Sequence, residues 1–589
     1  MNAPDPSEIR VPVGPDAARW TSRAASRRVL LVAHNVTAAG RLLDVLPLFH
    51  DDFRVQLLVT TPGSSAFRSG LPDLFADLGL PVLPWHQALA TPVDLAISAS
   101  FGGQLPLIQG KLSVLSHGVG YTKKLAKPGA ARSREATFGL DAEWLLADGR
   151  PYVDGLVLSH PEQLARLRRA CPAAEDAAVL AGDPCFDRML AARPHRERYR
   201  RALGVRTGQR LLVLNSTWNP EGLFGTGGGQ DLLPGLLPRL TAELPTDDYR
   251  LAAVLHPNVW HGHGPGQLRV WLDRARRSGL TLIDPVRAWR QALLAADLVL
   301  GDFGAVSYYA AALGTPVLLA AAGQERLDPE APLADFVRTA PRLDPHAPLG
   351  DQLERLLTEH RPDPAPAAFT TSAPGRSAAL LRRHFYTLLD LPEPAAPALL
   401  EPLPLPPYEP PHRTAPLHVR TEVHGDDAWI VRTTDHPYGA TGTAHLAVHE
   451  DTRDPDDLAS ADVIVREGRA DDPRFGGPEA WTAEVLARYP HCALAGYATG
   501  PDRCTARSRT HGVLRITAGQ GADLDPACYA SALHAWLTAG GTPGPAGTRL
   551  RVHAAGGVHP LLVRAATPQP RTAPAARRGT PGGQWPPPA

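Results

Sequence analysis

Lysine is nearly absent from this 589-residue chain: of 60 basic residues, all are arginine except Lys111, Lys123, Lys124 and Lys127. A coding bias toward Ala, Gly, Pro and Arg explains the scarcity but not the clustering, and a compact ammonium on a flexible stem suits a phosphate. A solvated turn is the plain alternative. An excess of either charge is also missing, since 60 acidic residues match the 60 basic ones, which argues against a nucleic-acid partner. The five cysteines (Cys171, Cys185, Cys492, Cys504 and Cys528) form no CxxC and no paired framework. That excludes a zinc module or a disulfide scaffold and fits a reducing cytosol. No run approaches the ~18 to 20 apolar residues of a membrane span, and Met1 to Ser26 has no apolar signal core. The expectation is a soluble cytoplasmic protein whose contact with the inner face of a membrane is at most peripheral. Gly225 to Gly229 lacks the Gly-Lys-Ser/Thr ending of a phosphate loop, and His261 with His263 has no acidic partner at ligand spacing, so no metal is expected.

What the chain does have is alternation. Arg28 to Ala33, Arg54 to Thr60, Leu80 to Leu83, Leu95 to Ile97, Leu112 to Leu115 and Leu156 to Leu158 are apolar runs separated by helical stretches. A second series begins at Leu211 to Leu214 and continues through Leu251 to Leu255 and Leu280 to Ile283. Strands alternating with helices specify a parallel sheet covered on both faces. Asp297 to Leu319 compresses strand, loop, helix, turn and strand into one run. The helix starts near Ala305, can be capped at Gly314, and is blocked from continuing by Pro316. Asp302, Gly304 and Ser307 are then expected to line the crevice at the carboxyl end of that strand, next to a helix N-terminus able to take phosphate.

The boundaries that follow are an unstructured start over 1–27, Rossmann-like units over 28–200 and 201–391, a linker over 392–415, a small α+β domain over 416–566 and a disordered tail over 567–589. The helix at 376–391 is expected to pack back on the first half. The twenty residues from Pro392 to Pro411 contain nine prolines, which reads as an extended spacer. In the third unit, strand-like runs stand at Trp429 to Val431, Val463 to Val465 and Val513 to Ile516, with a helix near Tyr529 to Leu537. Turns at His436 to Gly439 and Arg474 to Gly477 could bind a ligand, and turn chemistry explains them equally well.

Several strands deliver polar loops. Ser116-His117-Gly118 places a histidine where a general base could act, with Lys123 and Lys124 close behind. Gly182-Asp183-Pro184, Thr217-Trp218, His256-Pro257, Gly301 to Ser307 and Ala312 to Pro316 follow. Together these loops resemble, in order and spacing over residues 28 to 391, those of CDP-glycerol:poly(glycerophosphate) glycerophosphotransferases. That resemblance implies a GT-B fold with the donor nucleotide between two halves, no cofactor, and attack of an acceptor hydroxyl on the β-phosphate of a CDP-alcohol, CDP being favoured over UDP. Carried over by motif, His117 is the candidate base near the acceptor, and His256 is the group that stabilises the phosphates. Thr217, Trp218, Asp302, Gly304 and Ser307 are donor-binding, and Lys123 and Lys124 meet acceptor or phosphate. The partners implied are a nucleotide-linked donor and a hydroxyl acceptor, including a lipid-linked one.

The chain departs from the family pattern twice. Asn219 stands where arginine usually follows Thr-Trp, and Gly304-Ala305 stands where a Ser-Ser pair is common. Both changes remove phosphate donors. A UDP-sugar glycosyltransferase, an enzyme like the UDP-N-acetylglucosamine 2-epimerases, and a catalytically degenerate nucleotide- or polymer-binding protein are the alternatives.

Overall fold

The computed structural model describes residues 7–125, 136–229, 231–409, 411–435 and 443–566. Lys127, the turn at His436 to Gly439 and the tail from 567 onward lie outside the described residues.

The first unit is built on seven parallel strands: β1 (Arg27–Val32), β2 (Val55–Thr60), β3 (Val82–Leu83), β4 (Leu95–Ser98), β5 (Lys111–Val114), β6 (Gly155–Leu158) and β7 (Ala178–Leu180), in the order β3-β2-β1-β4-β5-β6-β7. Strands β4 and β6 are buried at every residue, as their unbroken apolar runs require when helices cover both faces. The second unit repeats the plan with β8 (Arg210–Ser216), β9 (Tyr249–Leu255), β10 (Thr281–Leu282), β11 (Leu298–Gly301) and β12 (Val317–Leu319), in the order β10-β9-β8-β11-β12. Strand order reverses at β1/β4 and again at β8/β11, which opens a crevice at the carboxyl ends of both sheets. The helix Ser377–Leu389 returns to the first unit as expected: Ala378, Leu381, Phe385, Tyr386 and Leu389 share one core with Val29 and Leu31 of β1.

Three expectations change. The start is ordered from residue 7: Ile9 N–H donates to Gln87 Oε1 at 2.9 Å, Gln87 Nε2 donates back to Ile9 O at 2.6 Å, and Val13 and Ala17 are buried. The proline-rich segment is a strap, not a free spacer. Arg188 Nε donates to Glu401 O at 2.7 Å, Tyr199 Oη to Leu403 O at 3.1 Å and Gln291 Nε2 to Pro404 O at 2.9 Å, while Leu403 enters the main core. An extended proline-rich backbone makes no internal hydrogen bonds, so its carbonyls remain available to such donors.

The third change is in the C-terminal unit, a closed nine-stranded barrel with helices. In chain order its strands are β13 (Leu417–His424), β14 (Asp427–Thr433), β15 (Thr443–His449), β16 (Val463–Glu467), β17 (Leu494–Gly500), β18 (Arg503–Ser508), β19 (Gly512–Ala518), β20 (Thr548–Ala554) and β21 (Gly557–Ala565). Around the barrel they run β13-β14-β20-β21-β19-β18-β17-β16-β15. Strands such as β13, Leu-His-Val-Arg-Thr-Glu-Val-His, alternate rather than form apolar runs, and that period of two is how a closed sheet separates inside from outside. The helix Pro526–Thr538 shares a core with the strands through Tyr529, Leu533 and Trp536.

The barrel is bolted to the second Rossmann-like unit. Arg432 of β14, 0% exposed, donates through Nε and Nη2 to both carboxylate oxygens of Asp247 at 2.8 and 2.6 Å and through Nη2 to Asp525 at 2.8 Å. Thr246 N–H donates to Arg432 O at 2.9 Å, and Arg206 Nη1 to Leu524 O at 2.7 Å. Replacing Arg432 by leucine strands the buried Asp247 carboxylate and leaves Asp525 to Arg413 at 3.5 Å, so a loss of about 3 to 5 kcal/mol is expected in urea unfolding followed by barrel tryptophan fluorescence. A change below about 1 kcal/mol would mean that the bolt contributes no more than a surface ion pair.

Candidate functional site

The two crevices face one another and enclose a cavity of about 200 Å³. Its wall takes His117, Lys123, Thr217, Trp218, His256 and Gly304 together, six of the nine residues singled out from sequence.

The two histidines are held in opposite tautomers. His117, beyond the end of β5, donates Nδ1–H to Ala99 O at 2.7 Å, which leaves Nε2 as a lone pair. His256, beyond the end of β9, caps the helix Pro257–His263 by accepting Asn258 N–H on Nδ1 at 3.1 Å, so its Nε2 carries the proton. One ring offers a base and the other a donor. Burial pushes the His117 pKa down to about 4 against the pull of the Ala99 carbonyl, helped by the charges of Arg41, His34 and Lys123. Burial, then Lys123 and His117, holds His256 well below its ordinary value. Both rings are therefore neutral at pH 7.

Lys123 supplies the cation. Its ammonium crosses from the first unit to the second and donates to Thr217 Oγ1 and Asn219 Oδ1, each at 3.1 Å, lying 5.4 Å from the Phe303 ring centroid. The cation beside Asn219 is thus delivered by the opposite domain. Burial lowers the Lys123 pKa to about 8, with Asp302 opposing the shift. Lys124 does not line the cavity: both lysines take part in β-bridges, in which neighbouring side chains point to opposite faces. Lys111 Nζ donates to Leu388 O at 2.8 Å, away from the cavity.

Asp302 and Ser307 do not line the cavity either; both are 0% exposed and stand behind its wall. Asp302 collects Ser216 Oγ–H at 3.2 Å and the N–H groups of Thr217, Leu223 and Gly304 at 2.8, 3.0 and 3.0 Å. It shapes the Thr217 loop against the Gly304 turn. Burial raises its pKa, and the N–H groups of Leu223 and Thr217, then Lys123, oppose the rise. Ser307 Oγ accepts Asn215 Nδ2–H at 3.1 Å and fixes the helix Ala305–Ala312 to β8. That helix has Gly304 at its N-cap and no side-chain cap, so its first-turn N–H groups remain for an anion in the cavity. A Cβ on Gly304 would stand 3.0 Å from Asp302 Oδ1 and 3.3 Å from Thr217 Cβ, so any larger residue there presses on both neighbours. Trp218, 38% exposed, meets Phe67 edge-on at 5.3 Å and closes one side of the mouth.

The sequence reading missed the group that sets His117 in place. Arg41 of the helix Val36–Val45 donates to Asp183 Oδ1 at 2.5 Å, to Gly118 O at 3.1 Å and to Tyr309 Oη at 3.0 Å, and Tyr309 donates to Asp183 Oδ2 at 2.6 Å. Asp183 also caps the helix Pro184–Ala192 through Cys185 and Phe186 N–H. The available signal was an arginine between Ala38 and Leu42, on the apolar face of an amphipathic helix. A second such group is Asp44, 1% exposed, which holds Arg188 at 2.5 Å and Arg290 at 2.8 Å.

Two facing Rossmann-like units with the polar loops turned into the cleft give residues 27–391 a GT-B-like fold. No family model matches the sequence, and no curated protein matches it. Among solved structures, the wall teichoic acid polymerase TagF is similar at 12% identity with a TM-score of 0.42, over 62% of this chain and 88% of that one. A glycosyltransferase from Rickettsia africae is similar at 12% identity and a TM-score of 0.36, over 62% and 98% of the two chains. HepE of Anabaena, solved with UDP-glucose, is similar at 12% identity and a TM-score of 0.34, over 62% and 100%. Among the described residues, no helix is long and apolar enough to cross a membrane.

With a pKa of about 8, Lys123 is cationic at pH 7 and loses its proton as pH rises further. Affinity for a nucleoside diphosphate is therefore expected to fall between pH 7 and pH 9.5 in isothermal titration, and to fall less in Lys123→Arg, whose guanidinium stays charged. A flat wild-type profile would show that this ammonium does not meet the phosphates.

Proposed function

We propose that the chain is a transferase that moves a phospho-alcohol, glycerophosphate-like group from a CDP-linked donor to a hydroxyl acceptor in the synthesis of an envelope polymer or glycan. The observation that carries this reading is the pairing, in one cavity, of a histidine held as a base with a histidine held as a donor, Lys123 between the two domains.

The acceptor O–H hydrogen-bonds to His117 Nε2. As its oxygen bonds to the β-phosphorus, the proton passes to Nε2 and the bond from that phosphorus to the bridging oxygen breaks. CMP leaves with the bridging oxygen and its added negative charge. Lys123, His256 Nε2–H and the open first turn of the helix Ala305–Ala312 are the donors available to that charge, and donors fixed in advance need no reorganisation as it develops. Trp218 and Phe67 shield one side from water.

The base is tested by turnover of CDP-glycerol. His117→Ala is expected to lower it about 100- to 10,000-fold while nucleotide affinity stays near that of the wild type. Full turnover in the variant would remove His117 from the chemistry. The donor is tested by thermal shift with CDP, UDP and ADP on the wild type and on His256→Ala. The expected result is stabilisation by CDP that is lost in the variant. Stabilisation by UDP instead would replace the CDP-alcohol with a UDP-sugar, and no response to any nucleotide would favour a non-catalytic binding protein.

A further inference from the structure

A second cavity, about 40 Å³, lies at the barrel's contact with the second unit. Arg413, Arg432, His449 and Arg466 all line it. Each has one buried nitrogen with no acceptor among the described residues: Nε of Arg413, Nη1 of Arg432, Nε2 of His449 and Nε of Arg466. The rest of each side chain is anchored. Arg432 is clamped by Asp247 and Asp525, Arg413 Nη2 donates to Thr246 O at 3.3 Å, and Arg466 pairs with Glu450 and lies 3.6 Å over the Phe475 ring.

His449 settles the sign of the site. Asp451 N–H donates to its Nδ1 at 3.0 Å, so Nε2 carries the proton in the neutral ring. Nε2 then presents a fourth donor rather than a lone pair, although His412 and Asp451 stand near enough to suggest a metal cluster. Arg432 is 0% and His449 8% exposed, so bulk water does not reach these donors freely. An unmade buried hydrogen bond costs about 1 to 3 kcal/mol, and four around one small cavity call for a shared acceptor. The two carboxylates on the wall do not fill the role: Asp525 is already engaged by Arg432 and Arg413, and Glu467, which accepts from none of the four nitrogens, is pushed up to about 7 by burial and by Asp525. A single water needs about 10 to 15 Å³ of such space, so the cavity takes a small oxyanion but not a nucleotide.

We infer that this cavity binds a phosphate or the phosphoryl end of a small metabolite, held by Arg413, Arg432, His449 and Arg466. The anion draws together the linker residue Arg413, the barrel and, through Arg432 and Asp247, the second Rossmann-like unit. The inference stands independently of the transfer reaction, because none of these residues lines the interdomain cleft.

The test is titration of the full chain with inorganic phosphate, glycerol phosphate and chloride at matched ionic strength, read by calorimetry and thermal unfolding. Saturable binding and a raised Tm are expected with phosphate and not with chloride. Glycerol phosphate binding more tightly than phosphate would identify a phosphomonoester as the ligand, and weaker binding would identify the free ion. His449→Gln and Arg466→Lys are each expected to weaken binding at least tenfold, whereas Lys123→Ala, which alters the interdomain cleft, leaves it unchanged. Equal responses to phosphate and chloride, or loss of binding in Lys123→Ala with no change in the two barrel variants, would overturn the inference and leave water in the cavity.

Discussion

The structure depends first on the buried network of Arg41, Asp183 and Tyr309. Each member comes from a different element: the first helix, the turn after β7 and the helix that follows β11. Arg41 and Asp183 belong to the first unit and Tyr309 to the second, so the network joins the two units as well as pairing charges. Its remaining donor fixes the Gly118 carbonyl, and with it the backbone beside His117. A buried pair of this kind is weak evidence for stability, since desolvation offsets much of the attraction. Its contribution here is geometric: it allows one arrangement of the two halves, and that arrangement brings His117 and His256 to the same cavity.

Lys123 and Arg41 both line the cleft, and each reaches from the first unit to a group of the second. An ammonium that reaches across to Thr217 and Asn219 ties the first unit to the loop of the second, and in the proposed reaction it places a cation where the phosphates would lie. Asp302 is the static counterpart. Four donors converge on its carboxylate, so the Thr217 loop and the Gly304 turn are set before any ligand arrives.

Much of this was legible in the sequence. The continuous apolar strands and the Gly-Thr-Pro turn predict the two parallel sheets, because a strand buried on both faces has nothing else to be. The barrel was read only as α+β because its strands alternate polar and apolar residues, and alternation over seven residues with arginines and histidines on one face leaves no apolar run to notice. In the site, residues at strand ends were found and residues behind the wall were assigned to its surface. Asp302 and Ser307 sit in the right loop, but sequence does not give the direction of a side chain in an irregular turn. The contact between Lys123 and Asn219 could not be read at all, since it joins positions almost a hundred residues apart across two domains.

The cleft as it stands is poised but quiet. Its arginines are committed to carboxylates, its histidines are neutral because burial penalises their charge, and its lysine is held near its point of proton loss. In the proposed reaction, a phosphate group entering this space would act on the lysine and on both histidines. An anion beside Lys123 holds its proton, an anion beside His256 strengthens the Nε2–H donor, and the negative charge that grows during transfer raises the basicity of His117 as it takes the proton. In the proposed transfer, the same burial that makes His117 a weak base makes its basicity conditional on the donor, a physical means of tying proton removal to the presence of a phosphate to attack.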